Sequence, residues 1–424
     1  MTTLAHEGMS RDDVLAALRG FLDDFSLHRT EDDPEFLKTV MSVETNYGGD
    51  ELEELRNRAH ALFSHENPIM GRARHQQLEE ELLGICAGLL SGGRPGVVAT
   101  ITSGGTESIF NGVHCARERA RRLRPDVTRP KWVASHCAHP GITKACHFLG
   151  IELVRVPDRG FRADPQAMAA AVDERTIGIY ASAPSFPFGL YDDVPALGRL
   201  ALAHDLWLHV DACVGGFIAP WVARLGRALP AWDLSVPGVS SLSADVHKFG
   251  YGMKPCSVVA WRDSSLLQDH YVEVADWPAE TYVTAGFGGS RSMGPVAAAW
   301  AVMHLLGERG YLDLTARMLA NRDRLVAGLS AIHGIRLPIG APELNIVTYQ
   351  GVDVTVGQLL NGLGERGYPH FDVADPPLVL LVVDPCASGI IERYLADVAE
   401  VVALAREGRI EDAGPGSGYG ILGH

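Results

Sequence analysis

Between residues 96 and 261, short apolar runs alternate with longer helical ones, and no other feature constrains the fold of this chain as strongly. The strand-like runs are GVVATIT, KWVAS, IELVRVP, TIGIYAS, LWLHVDA and CSVVAWR. Between them lie TESIFNGVHCARERARR, GITKACHFLG, PQAMAAAVDE and VPALGRLALAH, whose apolar residues recur at helical spacing. A strand that is apolar on both sides needs cover on both faces. A helical crossover is long enough to return the chain for parallel pairing. The pattern therefore predicts an α/β domain with a mostly parallel sheet.

The flanking segments read differently. Residues 11 to about 62 carry helical periodicity broken by DDPEF and NYGGD, which predicts an N-terminal helical arm over 1–70. RHQQLEEELLGICAGLLSGG predicts an amphipathic helix with Leu78, Leu82, Ile85 and Leu89 on one face, ended by Gly92-Gly93. The large domain is expected over 71–330, closing on two long helices, GPVAAAWAVMHLLGERG and YLDLTARMLANRDRLVAGLSAI. NIVTYQ, TVGQLLNGLGERG, PLVLLVVD and IIERYLADVAEVVALAREG then read strand, helix, strand, helix. They predict a small α+β domain over 331–410, with a Gly-rich tail over 411–424.

A net charge of −15 argues against nucleic acid or an anionic membrane as a partner, because both would repel the chain. MTTLAHEGMSRDDVLAALRG lacks the pattern of a signal peptide, and no apolar run reaches the length that spans a bilayer, so no membrane anchor and a cytoplasmic location are expected. Seven cysteines scattered through predicted core elements suit reduced, buried thiols rather than a disulfide framework.

The chemistry-bearing stretches follow in order along the alternating region. TITSGGTES (Thr100 to Ser108) sits where a strand ends and a helix begins. There Gly104, Gly105 and Thr106 can offer backbone N–H groups and a hydroxyl to an anion. The same residues also suit an ordinary tight turn. HVDACVGGF places Asp211 at the C-terminal end of a strand, where open α/β sheets bind ligands. SHCAHPGITKACHF carries His136, His139 and His147, with His139 at the mouth of a helix. The spacing of these residues matches no standard metal site, and no metal is expected.

SADVHKFGYGMKPCS holds Lys248 and Lys254, two of only five lysines, in a chain with 37 basic residues. An amine that must form an imine cannot be replaced by a guanidinium. A glycine-rich anion turn, a flat imidazole, a strand-end carboxylate and a reactive amine together are what pyridoxal 5'-phosphate requires for its phosphate, ring, pyridine nitrogen and aldehyde.

SADVHKFGYGMKPCSVVAWRD, TSGGTES, DACVGGF and GGSRSMGPVAAAWAVMHLLGERGY resemble the motifs of the sphingosine-1-phosphate lyase family, including its bacterial members. That family lies within the group II decarboxylase-like enzymes of fold type I, whose large domain is like that of aspartate aminotransferase. The resemblance runs from about Asn67 to Tyr311. It implies that Lys248 is the internal-aldimine lysine, that Asp211 partners the pyridine nitrogen and that His139 stacks on the ring. It further implies that Gly104, Gly105, Thr106 and His247 hold the cofactor phosphate. Ser290 and Arg291 would lie near the phosphates at the interface of a homodimer with shared active sites. Lys254, Asn67, Tyr282 and Arg291 would meet a small amine substrate. Lys144 also matches a family position, as a structural residue. One departure stands out. The family usually has Asn-Pro-Leu-His where this chain reads NPIMGRARH, so Met70 replaces a histidine that binds the substrate phosphate. Arg72, Arg74 and His75 are the candidates to compensate.

The implied reaction is cleavage of a Cα–C bond: retro-aldol release of an aldehyde from a β-hydroxy amine, phosphorylated or not. The same motifs serve amino-acid decarboxylases, which expel carbon dioxide instead. A transaminase would need an arginine motif in the C-terminal unit to grip a carboxylate, and none is evident. A non-catalytic scaffold retaining the fold would have no use for Lys248 and Asp211.

Overall fold

The computed structural model describes residues 49–67, 73–368, 371–385, 388–412 and 414. Most of the expected N-terminal arm and tail, with Met70, Arg72 and Cys386, lies outside the described residues. All six predicted strands pair in one seven-stranded sheet: β1 (Val98–Thr102), β2 (Lys131–Ser135), β3 (Glu152–Val156), β6 (Thr176–Ser182), β7 (Trp207–Asp211) and β9 (Ser257–Trp261). The seventh is β8 (Val239–Ala244), giving the order β1-β9-β8-β7-β6-β2-β3. Only β9 runs against the rest, antiparallel to both β1 and β8. The short hairpin β4 (Asp158–Arg159) and β5 (Arg162–Ala163) lies outside this sheet.

Strand residues alternate between two cores, as a period of two requires. Val133, Ile179, Leu208 and Val210 join the core that also takes Leu82 and Leu90 of α2 (Ala73–Leu90). Trp132, Tyr180, Trp207 and Trp261 face the other core. There they meet Ile109 and Val113 of α3 (Gly105–Leu123) and Ile142 and Cys146 of α4 (Gly141–Leu149). The helices α5 (Pro165–Ala170), α6 (Val194–Ala203) and α7 (Ala219–Arg224) complete the layers. In α2 the fully buried positions are Leu82, Cys86 and Leu90, while Leu78, Ile85 and Leu89 are partly buried, so the buried stripe is rotated from the expected one.

Strand β8, VSSLSA, is wholly buried although three of its residues are serines. Each serine has work there. Ser241 Oγ accepts from Trp207 Nε1 at 2.8 Å and lies 2.8 Å from His209 Nδ1. Ser243 Oγ donates to Asp211 at 3.2 Å, and Ser240 Oγ accepts from the Leu208 backbone at 3.4 Å. A serine-rich run does not read as a core strand until its neighbours are known.

Beyond the 3₁₀ helix Ser264–Asp269, a hairpin of β10 (Tyr271–Val274) and β11 (Tyr282–Ala285) precedes the long helix α8 (Gly294–Ala331). Helix α1 (Gly49–Phe63) packs along α8. The two expected helices form one element with a break at Gly307, whose φ of 54° suits a residue without Cβ. A second sheet, β12 (Ile335–Arg336), β13 (Ile346–Gly351), β15 (Pro377–Val382) and β14 (Phe371–Ala374), is antiparallel throughout. It packs with α9 (Val356–Gly364) and α10 (Ser388–Arg406) around a separate core containing Tyr349, Leu381 and Tyr394. The capping box of Thr355 and Gln358 starts α9.

Cys86, Cys115, Cys137, Cys146, Cys213 and Cys256 are buried and free. Among the described residues, no helix is long and apolar enough to cross a membrane.

Candidate active site

The parallel strands β6, β7 and β8 end at one edge of the large sheet, and the residues following them build a cleft of about 480 Å³. Asp211 closes β7 and is 8% exposed. Burial opposes its charge at a cost of several kcal/mol. Three donors answer that cost: Tyr180 Oη at 2.5 Å, the Cys213 N–H at 3.0 Å and Ser243 Oγ at 3.2 Å. Hydrogen bonds to a charged acceptor contribute about 1.5–3 kcal/mol each. The donors and nearby His139 outweigh burial, so the carboxyl is held below its usual range and stays ionised.

The glycine turn follows β1. Ser108 N–H bonds back to Gly104, and the Glu107 carboxylate accepts from Ser103 N–H at 2.7 Å, fixing the first turn of α3. Behind it runs a relay of hydroxyls. Thr102 Oγ1 meets Ser108 Oγ at 2.5 Å, Ser108 meets Ser257 Oγ at 3.0 Å, and Ser257 donates to the Ala244 carbonyl at 3.0 Å. These bonds tie the turn to β9 and β8. A Cβ at Gly105 would stand 2.5 Å from Cys213 Sγ and 3.1 Å from both Asp245 carboxylate oxygens, so only glycine fits. At Gly104 a Cβ would meet only His247 Cε1, at 3.8 Å, leaving a gap between turn and imidazole.

Lys248 leaves the end of β8 with its Nζ 2.8 Å from Asp245 Oδ2. Burial works against the ammonium, but the Asp245 carboxylate prevails and holds it well above its ordinary value. Asp245 Oδ1 is buried and has no hydrogen-bond partner among the described residues. His247 Nδ1 accepts from the Cys256 N–H at 3.3 Å, which leaves the ring proton on Nε2. His139 Nδ1 accepts from the Gly141 N–H at 3.1 Å. Burial lowers both imidazoles, so each is neutral near pH 7.

The cleft thus brings together Gly104, Gly105, Thr106, His139, Asp211, His247, Lys248 and Lys254. His136 and His147 are exposed elsewhere, and Lys144 lies over the Phe148 ring at 5.9 Å. Asn67, Tyr282, Ser290 and Arg291 do not line the cleft of a single chain. Arg291 pairs with Glu79 on α2 at 2.5 Å. Ser290 and Tyr282 are exposed, while a Cβ at Gly288 in the same loop would lie 3.6 Å from Glu107 of the turn. Asn67 follows Glu66, whose carbonyl accepts from Met293 N–H at 2.9 Å just before α8. Arg74 is exposed, and His75 packs edge-on against Phe63; neither lines the cleft.

Sequence reasoning missed Asp245, Glu107, Tyr180, Phe186 and Phe371. Asp245 stood in plain view three residues before Lys248. Phe371 comes from β14 of the small sheet and stacks edge-on with Phe186 at 5.6 Å, and nothing in its own segment marks it.

Residues 79–349 match the pyridoxal-dependent decarboxylase conserved domain. Sphingosine-1-phosphate lyase of Arabidopsis thaliana is 34% identical over 85% of this chain and 68% of its own. The solved sphingosine-1-phosphate lyase of Burkholderia pseudomallei superposes with a TM-score of 0.87 at 31% identity, over 96% of this chain and 94% of that one. The chain belongs to the sphingosine-1-phosphate lyase family. A probable L-tyrosine/L-aspartate decarboxylase of Methanocella arvoryzae is also 34% identical, over 77% of this chain and 83% of its own.

The protein is a fold-type-I lyase, and pyridoxal phosphate is its cofactor. The cleft fits that group on its own chemistry. An ionised carboxylate lies at the end of the central strand, and a lysine amine is one turn beyond the next. The glycine turn and His247 Nε2–H face a gap suited to phosphate, and Asp245 Oδ1 is an acceptor without a hydrogen-bond partner among the described residues.

Proposed function

We propose that this lyase cleaves the Cα–C bond of a small β-hydroxy amine whose far end is anionic, a phosphorylated amino alcohol, releasing an aldehyde. One observation carries this reading: Lys254 lines the same cleft as Lys248, Asp211 and the glycine turn, in a chain with five lysines. A second cation is not needed for the cofactor amine and suits a second anion. Bound pyridoxal phosphate supplies an electron sink for the pair released from the breaking bond.

The residues divide the remaining work. Lys248 supplies the amine for the cofactor aldehyde, and its Nζ, beside Asp245, holds a proton that can return to the substrate carbon. Asp211 would keep the pyridine nitrogen protonated. His139, neutral and flat, would stack on the ring. Gly104, Gly105 and Thr106 would donate to the cofactor phosphate, joined by His247 Nε2–H. Lys254 takes the distal anion, and grip at that end selects which bond to Cα breaks.

Ser290, Arg291, Tyr282 and Asn67 serve the site of a second copy, so the working unit is a homodimer with shared sites. The exposed apolar side chains of the β10–β11 region, Trp277, Tyr282, Val283 and Phe287, support that pairing. Division into an arm, a large domain to about residue 330 and a small domain to about 410 is part of the same reading, as is a cytoplasmic location. Amino-acid decarboxylation is the second reading, and the Methanocella arvoryzae relative is its support.

Lys254→Met tests the assignment. Loss of one charge-assisted contact worth about 1.5–3 kcal/mol should raise KM for a phosphorylated amino alcohol roughly tenfold to a hundredfold. The unphosphorylated analogue should be little affected. Equal effects on both substrates would remove Lys254 from the anion site.

A further inference from the structure

Outside the cleft, the sequence NGVHCARE places Asn111, His114, Cys115 and Glu118 on one face of α3, three and four residues apart. The 3₁₀ helix and His270 pack on that face. Arg122, in the last turn of α3, grips Asp269 through two hydrogen bonds of 2.9 and 2.7 Å and so fixes the neighbouring His270 over the helix. One ligand-type atom from each of His114, Cys115 and His270 lies within 4.8 Å of the other two.

The two imidazoles are turned alike. His270 Nε2 lies 3.4 Å from Thr100 Oγ1, and His114 Nε2 lies 3.9 Å from Glu118 Oε1. Nδ1 of each ring is buried without a hydrogen-bond partner among the described residues, although His270 is only 1% exposed. A buried, unpaired polar atom costs about 1–3 kcal/mol, and here the two rings that carry them cluster with a buried thiol. Burial also keeps both rings neutral, with His270 pushed down to about 4, so each Nδ1 offers a lone pair. An oxygen behind Nε2 and an open Nδ1 is how metal-ligating histidines are oriented.

We propose that His114 Nδ1, His270 Nδ1 and the Cys115 thiolate bind one zinc-class divalent ion. Thiolate with two imidazoles suits Zn²⁺ and disfavours Mg²⁺ or Ca²⁺, which want oxygen. Bonds of about 2.3 Å to sulfur and 2.0–2.1 Å to nitrogen put ligand atoms about 3.3–3.7 Å apart. From separations of up to 4.8 Å, the three groups therefore close by about 1.5 Å at most. The fourth position falls to water or to Asn111 Oδ1, which is also buried and without a hydrogen-bond partner among the described residues. Asn111 Oδ1 and His270 Cε1 each lie 2.9 Å from where a side chain at Gly286 would begin. Binding displaces the Cys115 proton to solvent. The ion would clamp α3, whose first turn lines the cleft, to the segment that leads into β10–β11. Sequence spacing does not show such a site, because its third ligand comes from a distant part of the chain.

The test uses cofactor-loaded protein. After dialysis against Zn²⁺ and removal of loosely held metal, elemental analysis should find one zinc per chain. Co²⁺ in its place should give the visible bands of a tetrahedral ion, and the thermal midpoint should rise with either metal. Cys115→Ser and His270→Gln should each lose the retained ion, the cobalt bands and the thermal shift. His114→Gln, at a side chain 13% exposed, provides the same readout if the fully buried variants do not fold. Wild-type protein that retains no ion, or variants that retain it undiminished, would overturn the site.

Discussion

Tyr180 sits on the strand beside Asp211 and donates to it at 2.5 Å, so the charge of the carboxylate depends on a residue that never lines the cleft. Tyr180→Phe keeps the ring and removes the donor. Removing a donor to the charged form should move the Asp211 carboxyl up. The acid limb of the kcat profile should follow it to higher pH, with KM little changed. An unmoved limb would mean that the other two donors suffice. Lys248 was legible because lysine is rare here, and Asp211 because an acid ending an apolar strand is conspicuous. Tyr180 and Asp245 were not legible as site residues. Their roles depend on which strands lie side by side and on where the chain turns after β8.

At the scale of the element, β8 shows where pattern reading stops. Its apolar neighbours on either side were found by composition, but VSSLSA is polar by count and buried in fact. The serines are tolerated because Trp207, His209 and Asp211 on β7 need partners at those heights. Ser241→Ala leaves Trp207 Nε1 and His209 Nδ1 without theirs and should cost about 1–3 kcal/mol in denaturant unfolding. His209 adds a pH dependence. Burial lowers it from 6.5 to about 4, so the neutral form is the one the fold favours. Its contribution is present above pH 6.5 and is lost as pH falls toward 4, by up to about 3 kcal/mol. Unfolding measured across that window should show a shallower fall for His209→Asn, and an identical fall would assign the acid sensitivity elsewhere.

At the scale of the whole molecule, the alternation of strands and helices revealed the parallel sheet and placed its ligand edge. It did not show that the small sheet lends Phe371 to the cleft, where it meets Phe186 from 185 residues away in the chain. Nor does one chain gather Asn67, Tyr282, Ser290 and Arg291 into its cleft, as expected if they complete the site of a partner. Phe287, 78% exposed beside the glycine turn, belongs to the same surface. If the proposed homodimer with shared sites holds, Phe287→Asp should shift sedimentation from dimer to monomer and abolish most activity together; a fully active monomer would refute shared sites.

The claim that the cleft performs carbon–carbon cleavage on a phosphorylated β-hydroxy amine is tested most directly by its products. Cofactor-loaded protein, with Lys248→Ala as the blank, would be incubated with a phosphorylated amino alcohol and separately with a panel of amino acids. Carbon–carbon cleavage should release aldehyde and aminoalkyl phosphate in equal amounts, with no carbon dioxide from the panel. Carbon dioxide from an amino acid, with no aldehyde from the phosphorylated substrate, would contradict it.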